Sequence, residues 1–215
     1  MTTLIIVTTL IVVLGLALGT VNGNGGGHGL TRALEVLKQG TPAEKLKALE
    51  LLANLADMQV MPALVQALRD DDARVRMATQ SVMWAVWLRS GNDEIDALMV
   101  EGVRLMELQQ YPEAVEVFDQ IIARAPTFAE GYNKRATVRY LMQEFEQSIA
   151  DIHHTLELNP VHFGALSGMG LCYLGLDEPR QALHWLERAV AVNPNMDTIQ
   201  SYIQQIREFL KNQTF

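Results

Sequence analysis

The side chains of this 215-residue chain that are best suited to chemistry are a few histidines and aspartates and a single cysteine. His153 and His154 are adjacent, and neighbouring residues on a helix point about 100° apart, so they do not readily chelate one metal ion together. Asp70, Asp71 and Asp72 are consecutive, whereas a calcium loop alternates its ligands along the chain. Neither group predicts a metal site, and we expect the aspartates to form a solvated turn that caps the following helix.

Cys172 is the only cysteine, so the chain has no internal disulfide framework. It lies among small and apolar residues, where a cysteine usually acts as a small buried hydrophobe. The sequence contains no phosphate-binding loop, dinucleotide fingerprint, nucleophile elbow or paired-cysteine motif. We therefore predict a protein that is not an enzyme and that needs no metal or cofactor.

The elements that hold these residues repeat at a fixed interval. Pro126, Pro160 and Pro194 stand 34 residues apart, and each closes a similar helical phrase. Two further sets align at the same interval: Gly102, Ala136 and Gly170, and Ala114, Ser148 and Ala182. A period of 34 residues is typical of a solenoid of helix–turn–helix units.

This stretch resembles the tetratricopeptide repeat (TPR) family, in three units that cover residues 95–128, 129–162 and 163–196. The first and third units match best, at Gly102, Ala114, Phe118 and Pro126, and at Gly170, Tyr173, Ala182, Ala189 and Pro194. The resemblance implies an all-α, right-handed solenoid of helical hairpins over residues 93–196, closed by a capping helix and tail over 197–215. It also implies protein binding at the concave face, which the first helix of each unit forms.

Residues 30–92 predict two further helical pairs. Thr41 and Pro42 open a helix, as N-cap and first-turn residue, and Val75 and Arg76 follow an aspartate turn. This pattern is similar to HEAT repeats, in units of about 30–57 and 60–90. We expect the pairs to stack on the first TPR helix to make one continuous solenoid, with Trp84 and Trp87 at the joint. HEAT-like repeats also occur in chromophore lyases, so an enzyme or enzyme subunit is a weaker alternative.

The N-terminus carries an uncharged, apolar run from Leu4 to Val21. A helix of this length reaches about 27 Å, enough to cross the core of a bilayer. It predicts a transmembrane anchor over residues 1–21, followed by a flexible glycine-rich linker over 22–29. A cleaved signal peptide is the alternative, and it would make the chain a secreted periplasmic or lumenal binding module.

Flanking charge predicts the orientation of this anchor. The basic residues Arg32 and Lys38 follow the apolar run and none precedes it, which places the repeat domain on the cytoplasmic side. Gly15 and Gly19 form a G-x-x-x-G motif, so a homodimer through the membrane helix is a further possibility.

The resemblance places the partner-binding residues at positions 5, 9 and 12 of each unit. These residues are Met99, Val103 and Met106, then Asn133, Thr137 and Tyr140, then Ser167, Leu171 and Leu174. Methionine and leucine suit an apolar helix or extended segment of a protein partner. Chaperone-binding TPRs grip a terminal carboxylate with lysine, asparagine and arginine, of which only Asn133 is present here. The alternative is that the C-terminal helix or a second copy covers these residues.

Repeat two departs from the family pattern at Arg135 and Arg139, where leucine and tyrosine are expected. A buried guanidinium needs a carboxylate, and we expect a structural salt bridge. The candidates for its partner are Asp151, Glu113 and Asp119. The alternative is a recognition site for an acidic group of a partner, formed by Asn133, Lys134, Arg135 and Arg139.

Charge is uneven along the chain. Residues 30–92 carry 8 basic and 7 acidic side chains, whereas residues 93–215 carry 9 basic and 18 acidic ones. An acidic surface repels phosphate backbones, which argues against nucleic-acid binding and favours basic partners. The sequence therefore predicts a membrane-tethered scaffold that holds a partner protein and performs no catalysis.

Overall fold

The computed structural model describes residues 26–212, and all regular structure within that range is helical. The predicted transmembrane segment Leu4–Val21, with its Gly15 and Gly19, lies outside the described residues. Among the residues that are described, no helix is both long and apolar enough to cross a membrane. The chain divides into two compact units, one ending at Val86 and the other beginning at Trp87.

The first unit consists of two helical pairs. Its helices are α1 Gly26–Gln39, α2 Pro42–Leu55, a short 3-10 helix Met58–Val60, α3 Met61–Ala67 and α4 Ala73–Trp87, whose last residue already belongs to the second unit. Leu52, Leu64, Leu68 and Val75 are completely buried and form its core. The predicted helical pairs are therefore observed, while their assignment as HEAT repeats stays a prediction.

The start of α2 shows how the local sequence determines where a helix of this unit begins. The Thr41 hydroxyl accepts a hydrogen bond from the Glu44 backbone N–H, and the Glu44 carboxylate accepts one from the Thr41 backbone N–H in return. This capping box satisfies two N–H groups that the first helical turn leaves free. The expected N-cap role of Thr41 is confirmed.

Two carboxylates of the aspartate turn before α4 have different roles. Asp72 accepts a hydrogen bond from the Arg74 backbone N–H at 2.8 Å, as expected of a capping residue. Asp70 forms an ion pair with Lys45 at 2.6 Å and so ties the turn to α2. The turn therefore both starts α4 and joins the two helical pairs of the unit.

The predicted glycine-rich linker over 22–29 is wrong for its second half, because α1 begins at Gly26. Glycine costs about 1 kcal/mol relative to alanine in a helix, but extending an existing helix adds one hydrogen bond for each residue that is fixed. The helical stretch Leu30–Leu37 packs on α2, and the helix extends from it toward the N-terminus through the glycines. A Cβ on Gly29 would lie 3.9 Å from Leu51, so this turn runs close to α2.

The second unit contains three consecutive helical hairpins and a final helix. The hairpins are α5 Asp93–Glu107 with α6 Tyr111–Arg124, α7 Ala129–Leu141 with α8 Phe145–Leu158, and α9 Phe163–Gly175 with α10 Pro179–Val192. The final helix is α11 Asp197–Asn212, whose Ile199, Ile203 and Ile206 pack on Ala182 and Leu186 of α10. Three helical hairpins and a further helix are thus observed where the 34-residue period predicts them, and the role of α11 as a cap stays a prediction.

The first helix of every hairpin ends in the same backbone motif. Gln109, Gln143 and Asp177 have positive φ angles of 59°, 63° and 57°, and they are spaced by the repeat period. After each of them the next residue donates a backbone hydrogen bond across the end of the helix, as Glu144 does to Arg139 at 2.8 Å. This is a Schellman motif, and it turns the chain tightly into the second helix.

Close helix contact inside the first and third hairpins depends on glycine in the first helix. A Cβ on Gly170 would lie 2.5 Å from Leu186 of α10, and one on Gly102 would lie 2.5 Å from Phe118 of α6. Both distances are too short for any side chain, so only glycine lets these helix pairs approach as they do. The aligned small residues of the sequence period therefore mark helix crossings.

Candidate functional site

The predicted partner-binding residues lie on the first helices α5, α7 and α9, and they separate into two sets by burial. The position-5 residues Met99, Asn133 and Ser167 are only 3%, 7% and 8% exposed. The position-9 and position-12 residues are partly exposed: Val103, Met106, Thr137, Tyr140, Leu171 and Leu174. Only this second set offers side chains to a partner in the observed arrangement.

The partly exposed set also supports the cores of the repeats. Val103 and Met106 pack against the cluster around Phe118, and Tyr140 packs against the cluster that contains Cys172. Leu174 packs beside the cluster formed by α10 and α11. Each of these side chains is therefore held in position by apolar neighbours while part of its surface remains accessible.

Charged and polar side chains are concentrated around Glu130, in the first turn of α7. One carboxylate oxygen of Glu130 lies 3.1 Å from the Lys134 ammonium and accepts a hydrogen bond from the Asn133 amide at 3.0 Å. The other oxygen lies 2.9 Å from Nε2 of His162. Glu130 is 1% exposed, Lys134 5% and His162 0%, so the whole cluster is removed from water.

His162 is the N-cap of α9, and its two ring nitrogens have different roles. Nδ1 accepts a hydrogen bond from the Ala165 backbone N–H at 3.0 Å. A nitrogen that accepts from an N–H carries no proton, so the proton of the neutral ring lies on Nε2 and is donated to Glu130. The cap of the third repeat is thereby joined to the first turn of the second repeat.

Trp87 packs on one member of this cluster, His162. Its indole stacks on the His162 ring, with the ring centroids 4.1 Å apart and the planes 20° from parallel, and it also contacts Phe163 at 5.0 Å. Trp87 itself is only 4% exposed. The sequence predicted a packing role for this residue at a joint with the first TPR helix, and nothing in its spacing indicated a contact with the third repeat.

The electrostatics of the cluster favour a charged Glu130. Burial alone raises the pKa of this carboxyl, but the positive charge of Lys134 and the hydrogen bond from His162 outweigh it and lower the pKa to about 2. A buried charge of this kind persists only where opposite charge and hydrogen bonds surround it. Glu130 and Lys134 therefore form a buried ion pair, and the second carboxylate oxygen of Glu130 accepts the hydrogen bond from His162.

The arginines of repeat two lie in a separate network. Arg135 binds Asp151 through two nitrogens, at 2.9 and 2.5 Å, and binds Asp119 through a third at 2.5 Å. Arg139 binds the same Asp151 at 2.9 Å. The hydrogen bonds that Arg135 donates to Asp151, and then those to Asp119, raise the pKa of Arg135 above its ordinary value. The expected salt bridge of Arg135 is confirmed, with Asp151 and Asp119 as its partners.

The alternative recognition site required Asn133, Lys134, Arg135 and Arg139 to face one acidic group. The structure instead directs Asn133 and Lys134 to Glu130, and Arg135 and Arg139 to Asp151. The two pairs bind different carboxylates, one within α7 itself and the other on α8. Recognition of a partner's acidic group by these four residues therefore stays a prediction.

The remaining residues with chemical potential are placed apart. Cys172 is completely buried, and its thiol hydrogen-bonds to the Ser148 hydroxyl at 3.2 Å. Burial raises the pKa of this thiol to about 11, which keeps it in the unreactive protonated form at neutral pH. His153 and His154 are both exposed on α8. Among the described residues no three metal-binding side chains are grouped together.

Comparison with known proteins finds relatives that match part of the chain. A TPR repeat-containing protein of Rhizobium etli is 34% identical over 124 residues, a match that covers 58% of this chain and 61% of that protein. The chain thus spans less than two thirds of the length of this curated relative. No protein-family model matches the chain.

Two solved structures share the fold at lower identity. The first TPR of Spaghetti (RPAP3), bound to an HSP90 peptide, superposes on 55% of this chain and 94% of its own, with a TM-score of 0.54 and 19% identity. The crystal structure of MamA covers 66% of this chain and 86% of its own, with a TM-score of 0.52 and 18% identity. Identities this low show a common fold and carry no residue roles.

Sequence reasoning identified the arginine network but missed the cluster around Glu130. The signal for the arginines was a charged residue where the repeat pattern expects an apolar one. Glu130 and His162 occupy a first turn and an N-cap, where polar residues are ordinary. Their 32-residue separation, close to the repeat period, was the one feature that pointed to a contact between the starts of consecutive units.

Proposed function

We propose that the protein is a scaffold that holds a segment of a partner protein, the role suited to the tetratricopeptide repeats that residues 95–196 resemble. Its accessible wall is the partly exposed set on α5, α7 and α9, made of positions 9 and 12 of the three repeats. The proposal is based on that set, because its members form one stripe on each helix. Their side chains are partly accessible and are held in place by apolar neighbours.

The chemistry of this wall favours an apolar segment, either a helix or an extended strand. Val103, Met106, Leu171 and Leu174 contribute apolar surface, while Thr137 and Tyr140 contribute the polar groups that fix orientation. The structure of Spaghetti holds an HSP90 peptide, so the fold is suited to a peptide ligand. We do not extend that ligand to this chain, since of the lysine, asparagine and arginine clamp only Asn133 is present and its amide binds Glu130.

The partner is best sought by crosslinking in native membranes followed by mass spectrometry, with variants of α5 as the test. Val103→Gln removes accessible apolar surface from the proposed wall, and we expect the crosslinked yield to fall roughly tenfold, as for a central interface residue. Val100→Gln is the matched control, because Val100 lies on the same helix, is 49% exposed and is outside the proposed set.

Two results would contradict the proposal. Equal loss of crosslinks from Val103→Gln and Val100→Gln would place the partner elsewhere on the chain, and unchanged capture by both would remove the wall from partner binding. Arg135→Leu adds a separate check, since we expect it to lower the melting temperature and to leave capture intact.

We propose further that residues 1–21 anchor the protein in a membrane, with the repeats on the cytoplasmic side. The uncharged run Leu4–Val21 and the basic residues that follow it support this arrangement. The intact mass of the protein from the membrane fraction tests it: we expect the full chain. Loss of about twenty residues would instead support a cleaved signal peptide and a secreted binding module.

Catalysis is not part of the proposed function. The enzyme alternative required a reactive Cys172 or a polar pocket, and the thiol is buried with a pKa of about 11. Labelling of the native protein with a maleimide at neutral pH checks this directly. We expect slow labelling that becomes fast in urea, and rapid labelling of the native thiol would reopen the enzyme alternative.

A further inference from the structure

Exposed apolar side chains of the first unit gather at one end of the hairpin that α1 and α2 form. Leu51 and Leu55 lie one turn apart in the second half of α2, and they are 37% and 38% exposed. Met58, in the short 3-10 helix that follows α2, is 44% exposed. We call these three residues the apolar tip. Residues four apart are neighbours on a helix, so Leu51 and Leu55 present one apolar stripe, a kind of surface that another molecule usually covers.

The path of the chain places the apolar tip beside the start of α1. Gly40 and Thr41 alone connect α1 to α2, and a connection this short joins antiparallel helices. The C-terminal end of α2 therefore lies next to the N-terminal end of α1. A Cβ on Gly29 would lie 3.9 Å from the Leu51 side chain, which agrees with this arrangement.

The start of α1 is also the part of the first unit that follows the proposed membrane anchor most closely. Four residues, 22–25, separate Val21 from Gly26, where α1 begins. The five steps between these two Cα atoms span about 18 Å at most. The headgroup layer on one side of a bilayer is about 5–8 Å thick. The apolar tip is therefore held within reach of the membrane interface.

We propose that the apolar tip inserts into the interface of the membrane that residues 1–21 cross, so that lipid covers Leu51, Leu55 and Met58. The proposal rests on the membrane anchor proposed above and adds a second contact to it. A single anchor leaves the first unit free to turn about the connection, whereas an inserted tip fixes which side of the hairpin faces the bilayer.

The charges near the tip favour insertion of apolar surface over attraction to anionic lipid. Lys47 is exposed one turn before Leu51, and Glu50 and Asp57 are exposed beside Leu51 and Met58. Acidic side chains therefore at least offset the basic one on this part of the hairpin. Anionic lipid attracts clusters of several lysines and arginines, and the tip has no such cluster.

Depth-dependent quenching tests the contact. The full-length protein is reconstituted in phosphatidylcholine vesicles, with an environment-sensitive fluorophore on either Leu55→Cys or Ala43→Cys. Ala43 is exposed at the opposite end of α2, and the native Cys172 is buried, so the introduced cysteine takes the label. An interfacial helix buries its apolar face about 5–10 Å deep. We therefore expect nitroxide near the headgroup end of the acyl chains to quench the Leu55 probe at least about twofold and to leave the Ala43 probe unchanged.

A second set of variants separates insertion from mere nearness to the membrane. In protein labelled through Met58→Cys, the double change Leu51→Gln and Leu55→Gln removes the apolar stripe, and we expect quenching to fall by about half or more, since interfacial binding scales with buried apolar area. Met77→Gln is the matched control, because Met77 is a 71% exposed apolar residue of α4 outside the tip, and it should leave quenching unchanged. All of these positions are exposed, and helical circular dichroism checks that the fold is retained.

The outcomes separate this proposal from the anchor itself. Protein that floats with the vesicles but is quenched equally at Leu55 and Ala43 would keep the anchor and overturn the inserted tip. Blue-shifted emission at Leu55 without quenching by lipid would show that residues 1–25 or a second copy cover the tip, which also overturns it. Protein that does not float with the vesicles would overturn the anchor and this proposal together.

Discussion

At the scale of single residues, Asp151 is the group on which both arginines of repeat two depend. Its side chain is only 2% exposed and binds Arg135 and Arg139 together. Asp151→Ala would leave two largely buried guanidinium groups without this carboxylate, and breaking a buried ion pair from one side costs about 3–5 kcal/mol. We expect the free energy of unfolding, measured in urea, to fall by at least about 3 kcal/mol.

The matched control for this change is Asp119→Ala. Asp119 also binds Arg135, but its side chain is 51% exposed. An exposed ion pair contributes about 1 kcal/mol or less, so we expect a small loss. Equal losses from the two variants would show that the arginines are held mainly by their packing rather than by Asp151.

The lowered pKa of Glu130 predicts that the protein loses stability in acid. Its pKa falls from an ordinary value of 4.5 to about 2 in the folded protein, where the charge of Lys134 and the hydrogen bond from His162 outweigh burial. A lowered pKa stabilises the folded state at every pH above the unfolded value, and this contribution is lost as the pH falls through the folded value. We expect it to be lost between about pH 4.5 and pH 2.

Urea unfolding at a series of pH values measures this contribution. Glu130→Gln cannot titrate, so its stability should decline less steeply over the same window than that of the wild type. Glu116→Gln, which changes an exposed carboxylate of α6, should keep the wild-type slope. A Glu130→Gln profile parallel to that of the wild type would mean that Glu130 does not carry the acid dependence.

At the scale of helices, two glycines of α9 offer a direct comparison. A Cβ on Gly170 would meet Leu186 at 2.5 Å and the backbone oxygen of Ala182 at 3.1 Å, whereas one on Gly168 would meet Ile152 at an ordinary 3.5 Å. Gly170→Ala should therefore separate α9 from α10 and cost about 1–3 kcal/mol, as overpacking does. Gly168→Ala should be neutral, or stabilising by up to about 1 kcal/mol, because alanine favours the helix.

Thermal unfolding of the two variants checks this pair. The result that would contradict the explanation is a Gly170→Ala protein as stable as Gly168→Ala. In that case the aligned small residue of the repeat would reflect something other than the closeness of the crossing.

The turns between paired helices contain strain that glycine would relieve. Gln143 has a φ of 63°, a left-handed conformation that is unfavourable for a residue with a Cβ. We expect Gln143→Gly to raise the free energy of unfolding by about 0.5–1 kcal/mol. Gln120→Gly, on the exposed face inside α6, should instead lower it by about 1 kcal/mol.

Urea titrations distinguish these opposite signs. If Gln143→Gly lowers stability as much as Gln120→Gly does, the greater freedom of glycine in the unfolded chain outweighs the relief of the left-handed angle. Strain in the Schellman motif would then not limit the stability of the hairpins.

The helices themselves were largely predictable and the turns were not. The spaced prolines, the aligned small residues and the capping signal at Thr41 indicated where pairs of helices lie, because each has a local physical cause. The left-handed residues at 109, 143 and 177 are two glutamines and an aspartate, so the usual glycine signal for a helix C-terminus was missing. The glycines at 26–29 gave the opposite error, since they suggested a linker where α1 has already begun.

At the scale of the whole molecule, the repeat period predicted the order of the second unit but not which side chains meet across it. For Arg135 the sequence offered Asp151, Glu113 and Asp119 as partners, because its charge conflicted with an apolar position of the pattern. Glu130, Trp87 and His162 are far apart in sequence and individually unexceptional. Contacts of this kind follow from how repeats are packed, which periodicity does not specify.

The end of the array gives the last prediction. A solenoid exposes the apolar face of its final helix unless a capping element covers it, and α11 provides that cover through Ile199, Ile203 and Ile206 on Ala182 and Leu186. Ile203 is 6% exposed. Ile203→Asp places a charge in this contact, and we expect it to cost about 3 kcal/mol or more.

The consequence should extend beyond stability. Once α11 is released, the apolar face of α10 is available to other molecules, so Ile203→Asp should associate at concentrations where the wild type does not. Gln204→Asp, one residue further along on the exposed face of α11, adds the same charge without touching α10. We expect it neither to lower the stability nor to cause association. Urea unfolding together with sedimentation velocity measures both effects. If the two variants behave alike in both measurements, α11 does not act as the cap of the array, and its amphipathic face must be explained by another contact.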